Sequence, residues 1–146
     1  MSDLEDIVKR LQTAEDLIAI QQLFNRYGNY LDAGEFDKYA ELFAEDGELK
    51  LGPMGRVTGR AAIAEMMSKQ LSASIGQSYH IISNPVIDLD GDTATSEVMW
   101  SVIYRGDGEK PVLGMIGRHR DELQRTADGW KFKVRAGYVD IPSKMG

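Results

Sequence analysis

The chain has 146 residues, a length at which one domain with one hydrophobic core is the usual arrangement. Seventeen lysines and arginines against 23 aspartates and glutamates give a net charge of -6, and no basic run indicates a nucleic-acid partner. The absence of cysteine excludes disulfides and thiol chemistry, and two histidines leave little for a metal cluster. We therefore expect a single domain over residues 1–146 that uses no metal or other cofactor.

The sequence contains no membrane or export signal that we recognise. No apolar stretch approaches 18 residues, and residues 1–9 are acidic and helix-like instead of a basic region followed by an apolar one. These features predict a cytoplasmic protein without a membrane partner.

The first third of the chain has the three-and-four spacing of apolar residues that is typical of amphipathic helices. This spacing covers residues 3–31, and Thr13 with Asp16 resembles a capping box, so we predict two helices that break near Gln12. Gly34 suits a left-handed helix end. A third, short helix is then predicted to end at the turn formed by residues 46–47.

The next segments predict a short strand at residues 48–51, a glycine-rich loop, and a helix that begins at residues 58–59. The buried face of that helix is predicted to be Ile63, Met66, Met67 and Leu71.

From residue 79 onward the chain changes to segments rich in β-branched and aromatic residues. They are residues 79–89, 93–105, 112–125 and 130–140. The short, turn-forming connectors between them require antiparallel neighbours. Helices followed by such a meander predict an α+β fold, in which a strongly curved sheet packs on the amino-terminal helices and encloses a cavity.

Asp32 is the first candidate for acid/base chemistry. It lies in the last turn of a predicted helix, where the helix dipole disfavours a carboxylate by a few tenths to about 1 kcal/mol. Asp32 is either a solvated aspartate beside Gly34 or a carboxylate that orients a histidine. In the second interpretation Tyr27 presents its hydroxyl near the same end of the helix.

Strand alternation predicts that both histidines of the chain face inward. His80 shares a face with Ile82 and Val86, and His119 faces the core if the arginines on either side of it face solvent. Each is either a hydrogen-bonded core residue or a catalytic group. A neighbouring aspartate favours catalysis, because a carboxylate fixes the imidazole tautomer and strengthens it as a general base.

Two further residues have more than one interpretation. Trp100 alternates with apolar strand residues and is either a wall of an aromatic-binding pocket or part of the core. Arg135 has the same strand parity as Lys131 and Lys133, which predicts an exposed row of cations.

Four motifs in order resemble the SnoaL-like branch of the NTF2-like superfamily. They are YGNYLDAGEFDKYAELFAEDG at residues 27–47, GRAAI at residues 59–63, His80 with Asn84, and DGWKF at residues 128–132. The resemblance spans nearly the whole chain. It implies a cone-shaped fold with helices across a curved, mostly antiparallel sheet, a deep apolar pocket, and assembly as a homodimer or homotrimer.

Within that family the pattern is most similar to the scytalone dehydratase-like branch. There an aspartate on the early helix pairs with a sheet histidine and a second histidine assists, and Asp32, His80 and His119 stand at the matching places. Leu31 and Leu51 stand where that branch has tyrosines that polarise the substrate carbonyl.

The resemblance therefore implies a different substrate, with Tyr27, His119 or Arg135 supplying the hydrogen bond or charge. It implies a cofactor-independent lyase: a dehydratase, an isomerase or a carbon–carbon lyase that acts by general acid/base catalysis. The expected substrate is small and aromatic or polycyclic, such as a lignin-derived aromatic or a steroid. The alternative is a non-catalytic ligand-binding or accessory subunit of an aromatic-degrading system. The predicted substrate-binding residues are Tyr27, Trp100 and Arg135.

Overall fold

A computed structural model describes residues 2–142, which form three α-helices and six β-strands. The helices are α1 (Asp3–Ala33), α2 (Phe36–Ala40) and α3 (Arg60–Leu71). The strands are β1 (Phe43–Lys50), β2 (Arg56–Thr58), β3 (Ser78–Asp90), β4 (Thr93–Arg105), β5 (Pro111–Thr126) and β6 (Gly129–Ile141). Over the described residues, no helix is long and apolar enough to cross a membrane.

The six strands form one sheet in the order β2-β1-β6-β5-β4-β3. β1 runs parallel to β6, and the other four pairings are antiparallel. Register shifts within the β3–β4, β4–β5 and β5–β6 pairs act as bulges, which bend a strand and increase its twist. The sheet therefore curves around α1, and the predicted α+β class is confirmed.

The predicted meander is also confirmed, with each of its four strands within one residue of its expected bounds. The turns between β3 and β4 and between β5 and β6 depend on glycine, because Gly91 has φ 62° and Gly129 has φ 97°. Residues with a side chain adopt this left-handed region at a cost.

The predicted break near Gln12 is wrong, since α1 is one continuous helix. The Thr13 hydroxyl donates to the Lys9 carbonyl within the helix instead of capping a new one. Asp16 accepts two hydrogen bonds from Arg125 and one from the Trp130 indole, which join the helix to the far end of the sheet. The Asp16 side chain is buried among these donors, so it does not cap a helix as the sequence pattern predicted.

The end of α1 follows the prediction, whereas the next element does not. Gly34 has φ 74° and its N–H donates to the Leu31 carbonyl, as a left-handed cap requires. The predicted third helix continued to residue 47, but α2 ends at Ala40 and β1 begins at Phe43. Phe43 pairs with Phe132 in the sheet, so burial in the core overrides the local helical pattern.

Bulges also overturn two predictions from strand parity. In the β5–β6 pair, Glu122 opposes Val134 and Leu123 opposes Phe132, so Lys133 is the extra residue. Every side chain after it changes face. Arg135 is therefore fully buried, and the predicted exposed row of cations is wrong.

The second overturned prediction concerns β3. A register shift between Ser83 and Val86 moves Val86 to the outer face, where it is exposed. Val86 therefore does not share a face with His80.

Candidate functional site

Asp32 and His80 form a hydrogen-bonded pair where the end of α1 meets the start of β3. The Nδ1 atom of His80 lies 2.7 Å from Oδ1 of Asp32. The backbone N–H of His80 also donates to both carboxylate oxygens, at 3.0 Å each. The carboxylate is thus held by backbone and side chain together, which orients the imidazole and directs the Nδ1 proton to Asp32.

Tyr27 lies one turn before Asp32 on α1 and bridges the two histidines. Its ring centre is 6.2 Å from that of His80 and 5.0 Å from that of His119, with edge-to-face geometry at both. Its hydroxyl lies 3.3 Å from Nε2 of His119. The structure therefore brings Asp32, His80, Tyr27 and His119 into one cluster.

Three residues of this cluster, Tyr27, His80 and His119, form part of the wall of a cavity of about 540 Å³ between the helices and the curved sheet, whereas Asp32 does not line it. The rest of the wall is apolar and includes the short turn Gly52–Met54. Among the described residues, no charged side chain lines this cavity. Its apolar lining includes Leu51, Met54, Met67, Trp100, Val102 and Met115.

Trp100 is both nearly buried and part of the cavity wall, so its two interpretations are compatible. Its ring lies over Gly117 on the neighbouring strand, where a Cβ atom would be 2.3 Å from the indole. The absence of a side chain at Gly117 therefore leaves the space that the indole occupies beside the cavity. The Trp100 ring centre is 5.9 Å from that of His119.

Arg135 does not line the cavity and lies behind Tyr27. Its Nε atom is 3.0 Å from Oδ1 of Asp121, and the Ser96 hydroxyl donates to the other oxygen of that carboxylate at 3.0 Å. The guanidinium carbon is 4.2 Å from the Tyr27 ring centre and 4.4 Å from that of Phe132, both within cation–π range. The prediction that Arg135 is exposed failed, yet the residue supports the site from within the core.

Burial sets the protonation of the two inner groups. It raises the pKa of Tyr27 to about 12, so the phenol keeps its proton at neutral pH. It also lowers the pKa of His119 well below its usual value, and the nearby Arg135 and His80 lower that pKa further. His119 is therefore a neutral imidazole at pH 7.

We expect the imidazole NMR signals of His119 to remain those of a neutral ring as the pH falls from 8 to 6. ¹⁵N NMR of the His80→Gln variant would show this directly, because the chain has two histidines and the variant keeps only one. Below pH 6.5 the unfolded chain binds a proton that folded His119 does not, so this residue makes the protein less stable as the pH falls. A titration midpoint at or above 6.5 would contradict the assignment.

The sequence patterns missed several parts of the site. The sequence patterns assigned no role in the site to Asp121, Met115 or Val139. Gly137 and Val139 follow the bulge at Lys133, which brings them to the cavity face. A bulge has no clear sequence signal here, so their position could not be read from alternation.

The described residues contain no group of three or more His, Asp or Glu side chains that could hold a metal ion. A larger depression of about 700 Å³ lies on the outer face of the sheet, lined in part by Glu97, Arg118 and Arg120. It contains none of the predicted site residues.

The chain belongs to the SnoaL-like domain family, whose model matches residues 12–136. An uncharacterized protein of Mycobacterium tuberculosis is 27% identical over 118 residues, which are 80% of each chain. An NTF2-like protein with a cystatin-like fold from Novosphingobium aromaticivorans is 29% identical, with a TM-score of 0.89 over 96% of this chain and 92% of that one. A protein from the same organism that carries the provisional name scytalone dehydratase is 26% identical, with a TM-score of 0.71 over 87% and 85%.

Proposed function

We propose that this protein is a cofactor-independent lyase or isomerase that uses His80 as a general base on a small, uncharged aromatic or polycyclic substrate. The observation that carries the proposal is that His80, in the wall of an apolar cavity, is joined to Asp32 at 2.7 Å. Family membership and a solved structure provisionally named scytalone dehydratase support the same class of chemistry.

The proposed base is Nε2 of His80. Because Nδ1 donates to Asp32, the neutral ring carries its lone pair on Nε2. Nε2 takes a proton from a substrate carbon, and Asp32 stabilises the resulting imidazolium. In a dehydration the C–O bond then breaks, a C=C bond forms, and the proton held by His80 leaves with the oxygen as water. In an isomerisation the same proton returns to a different carbon.

Tyr27 and His119 have a different role in this proposal. A neutral His119 cannot hand over a proton as an imidazolium, so it does not act as a strong acid at pH 7. We assign the Nε2–H of His119 as the donor to the Tyr27 hydroxyl oxygen, because a proton on Nδ1 would be buried without an acceptor. The phenol proton of Tyr27 is then available as a neutral hydrogen-bond donor beside the position where negative charge develops.

The cavity lining supports an uncharged substrate. An anionic or cationic group would lose its hydration without gaining an opposite charge from the wall. Trp100 offers an aromatic face, and Met67 and Met115 offer polarisable sulfur atoms that favour aromatic rings. Hydroxylated aromatic ketones fit these conditions.

The test is proton exchange in D₂O. A panel of neutral hydroxylated aromatic and polycyclic ketones is first screened for binding by saturation-transfer NMR, with Met115→Trp as a control variant that fills the cavity. Bound compounds are then followed by ¹H NMR. We expect at least one ligand to exchange a C–H proton next to its carbonyl for deuterium, or to lose water, in the presence of the protein. The same ligand should not bind to Met115→Trp.

The same test distinguishes an enzyme from a non-catalytic ligand-binding protein. Binding of such ligands without exchange, rearrangement or water release would contradict the enzyme proposal and favour a ligand-binding or accessory subunit.

A further inference from the structure

The cavity meets solvent at the turn between β1 and β2. We call residues 51–55, which form this turn, the hairpin tip. Among the described residues that line the cavity, only Pro53 and Met54 are exposed, and both belong to the hairpin tip. Met54 is 48% exposed although it also forms part of the cavity wall. The hairpin tip therefore lies between the cavity and the solvent.

Three backbone hydrogen bonds close the hairpin tip on itself. The Leu51 N–H donates to the Gly55 carbonyl, the Met54 N–H donates to the Leu51 carbonyl, and the Gly55 N–H donates to the Gly52 carbonyl. The tip can therefore turn as one unit without breaking any of these three bonds. The two side chains that it presents to the cavity, those of Pro53 and Met54, are apolar and make no hydrogen bond that such a movement would break.

Two glycines set the conformation in which the hairpin tip covers the cavity. Gly52 has φ 56°, and Gly55 has φ 118° with ψ -179°, a combination that is essentially restricted to glycine. A Cβ atom on Gly55 would also lie 2.8 Å from the Cε atom of Met66, so the tip approaches α3 closely at this point. Small residues at both ends of a short segment are typical of hinges, which absorb large changes in φ and ψ.

We propose that the hairpin tip is the gate of the cavity and that Met54 determines which substrates pass through it and how fast. The inference rests on the proposed function only in that the cavity is the ligand site, and it requires no chemical step. Apart from the hairpin tip, the wall comes from α1, α3 and strands β3 to β6. Opening the cavity through those elements would break helical or sheet hydrogen bonds, whereas moving the tip does not.

Gating by Met54 narrows the substrate class by size. The methionine side chain is unbranched and flexible, so rotation of this side chain alone opens a narrow passage. A compound of one or two fused rings passes through such an opening, whereas a wider ring system needs the whole hairpin tip to move. Association of the wider compound is therefore slower. The gate favours aromatic substrates of one or two rings over larger polycyclic ones.

Stopped-flow fluorescence of the full chain tests the gate with two neutral probes, 2-naphthol and 1-hydroxypyrene, each followed through its own emission. We expect 2-naphthol to associate about tenfold faster than 1-hydroxypyrene with the wild type. Met54→Ala should raise both association rates and reduce this difference, and Met54→Phe should lower both rates. Met99→Ala is the matched control, since Met99 lines the depression on the outer face of the sheet. It should leave both rates unchanged.

The Gly55→Ala variant separates gating from the loss of a ligand contact. It keeps Met54 but disfavours the closed conformation, because alanine does not tolerate the backbone angles of Gly55. Association should therefore be faster in this variant as well. A residue that only contacts the bound ligand would change the dissociation rate alone. Equal association rates in the wild type, Met54→Ala, Met54→Phe and Gly55→Ala would overturn the proposal.

Acrylamide quenching of Trp100 fluorescence tests the gate without a ligand. Trp100 lines the cavity and Trp130 does not, so the measurement is made in a Trp130→Phe background. The quenching constant should rise in Met54→Ala and Gly55→Ala and fall in Met54→Phe. If this order is found but no aromatic compound binds, the gate stands and the proposed function fails. If substrates exchange protons while quenching and association are equal in all variants, the gate fails and the proposed function stands.

Discussion

We expect turnover in the exchange assay to fall by a factor of about a hundred to ten thousand when His80 is replaced by glutamine. This range is what a positioned general base contributes, and glutamine keeps a polar side chain of similar length without a titratable nitrogen. The substitution changes a half-buried residue at the cavity wall, so the fold should persist. The rate of deuterium incorporation by ¹H NMR, at saturating ligand, measures the effect.

The Asp32→Asn variant tests the orienting role separately. The asparagine oxygen can still accept from the backbone N–H of His80, so the geometry is retained. Its NH₂ group, however, can donate to Nδ1, which favours the tautomer with the proton on Nε2 and removes the base from the cavity. A comparable change in a catalytic triad lowers turnover by about 10⁴.

Asp37→Asn is the matched control, since Asp37 is an exposed carboxylate on the next helix and lies outside the cavity. Its rate should equal that of the wild type. Unchanged ligand affinity together with near-wild-type exchange in both His80→Gln and Asp32→Asn would show that the base is elsewhere.

The pairing of Asp32 with His80 was accessible from sequence because several local signals agree. The helix that carries Asp32 ends at a glycine cap, the dipole at that end disfavours an uncompensated carboxylate, and the order of motifs places a histidine on the next long strand. The four strands of the meander were equally accessible, because their alternation and turns are local. The contact itself joins residues 48 positions apart, so only the fold could give its distance.

The remaining features depend on contacts that no local pattern encodes. The unbroken α1 results from Asp16 binding Arg125 and Trp130, more than a hundred residues away. The inward position of Arg135 results from one extra residue in β6, and a single shift in register exchanges the two faces of every residue that follows. This bulge makes the prediction of an exposed Arg135 wrong. It also buries the guanidinium beside Asp121, where its charge contributes to the folding free energy.

Replacing Arg135 by methionine is expected to cost about 3–5 kcal/mol of folding free energy. Asp121 is buried, and Arg135 is the cation that compensates its charge, so removing one partner leaves an uncompensated buried carboxylate. Urea denaturation at pH 7 measures the difference. Arg120→Met is the control, because Arg120 is exposed, pairs with Glu97 on the outer face of the same sheet, and should contribute no more than about 1 kcal/mol.

The double variant Arg135→Met/Asp121→Leu distinguishes loss of a partner from loss of packing. Replacing a buried ion pair by apolar residues of similar volume is often close to neutral, so most of the stability should return. Recovery should fall short by about 1 kcal/mol, because the Ser96 hydroxyl loses its acceptor. If the double variant is no more stable than Arg135→Met, the cost lies in packing around Tyr27 and Phe132 instead of in the unpaired charge.

The same double variant connects the ion pair to the site. Arg135 is one of the groups that lower the pKa of His119, so removing its charge should move the imidazole titration to higher pH, although burial still keeps the pKa below its usual value. The refolded double variant would then show a ¹⁵N titration of His119 at higher pH than the wild type. An unchanged titration would mean that burial alone keeps His119 neutral and that Arg135 acts on the site only by packing against Tyr27.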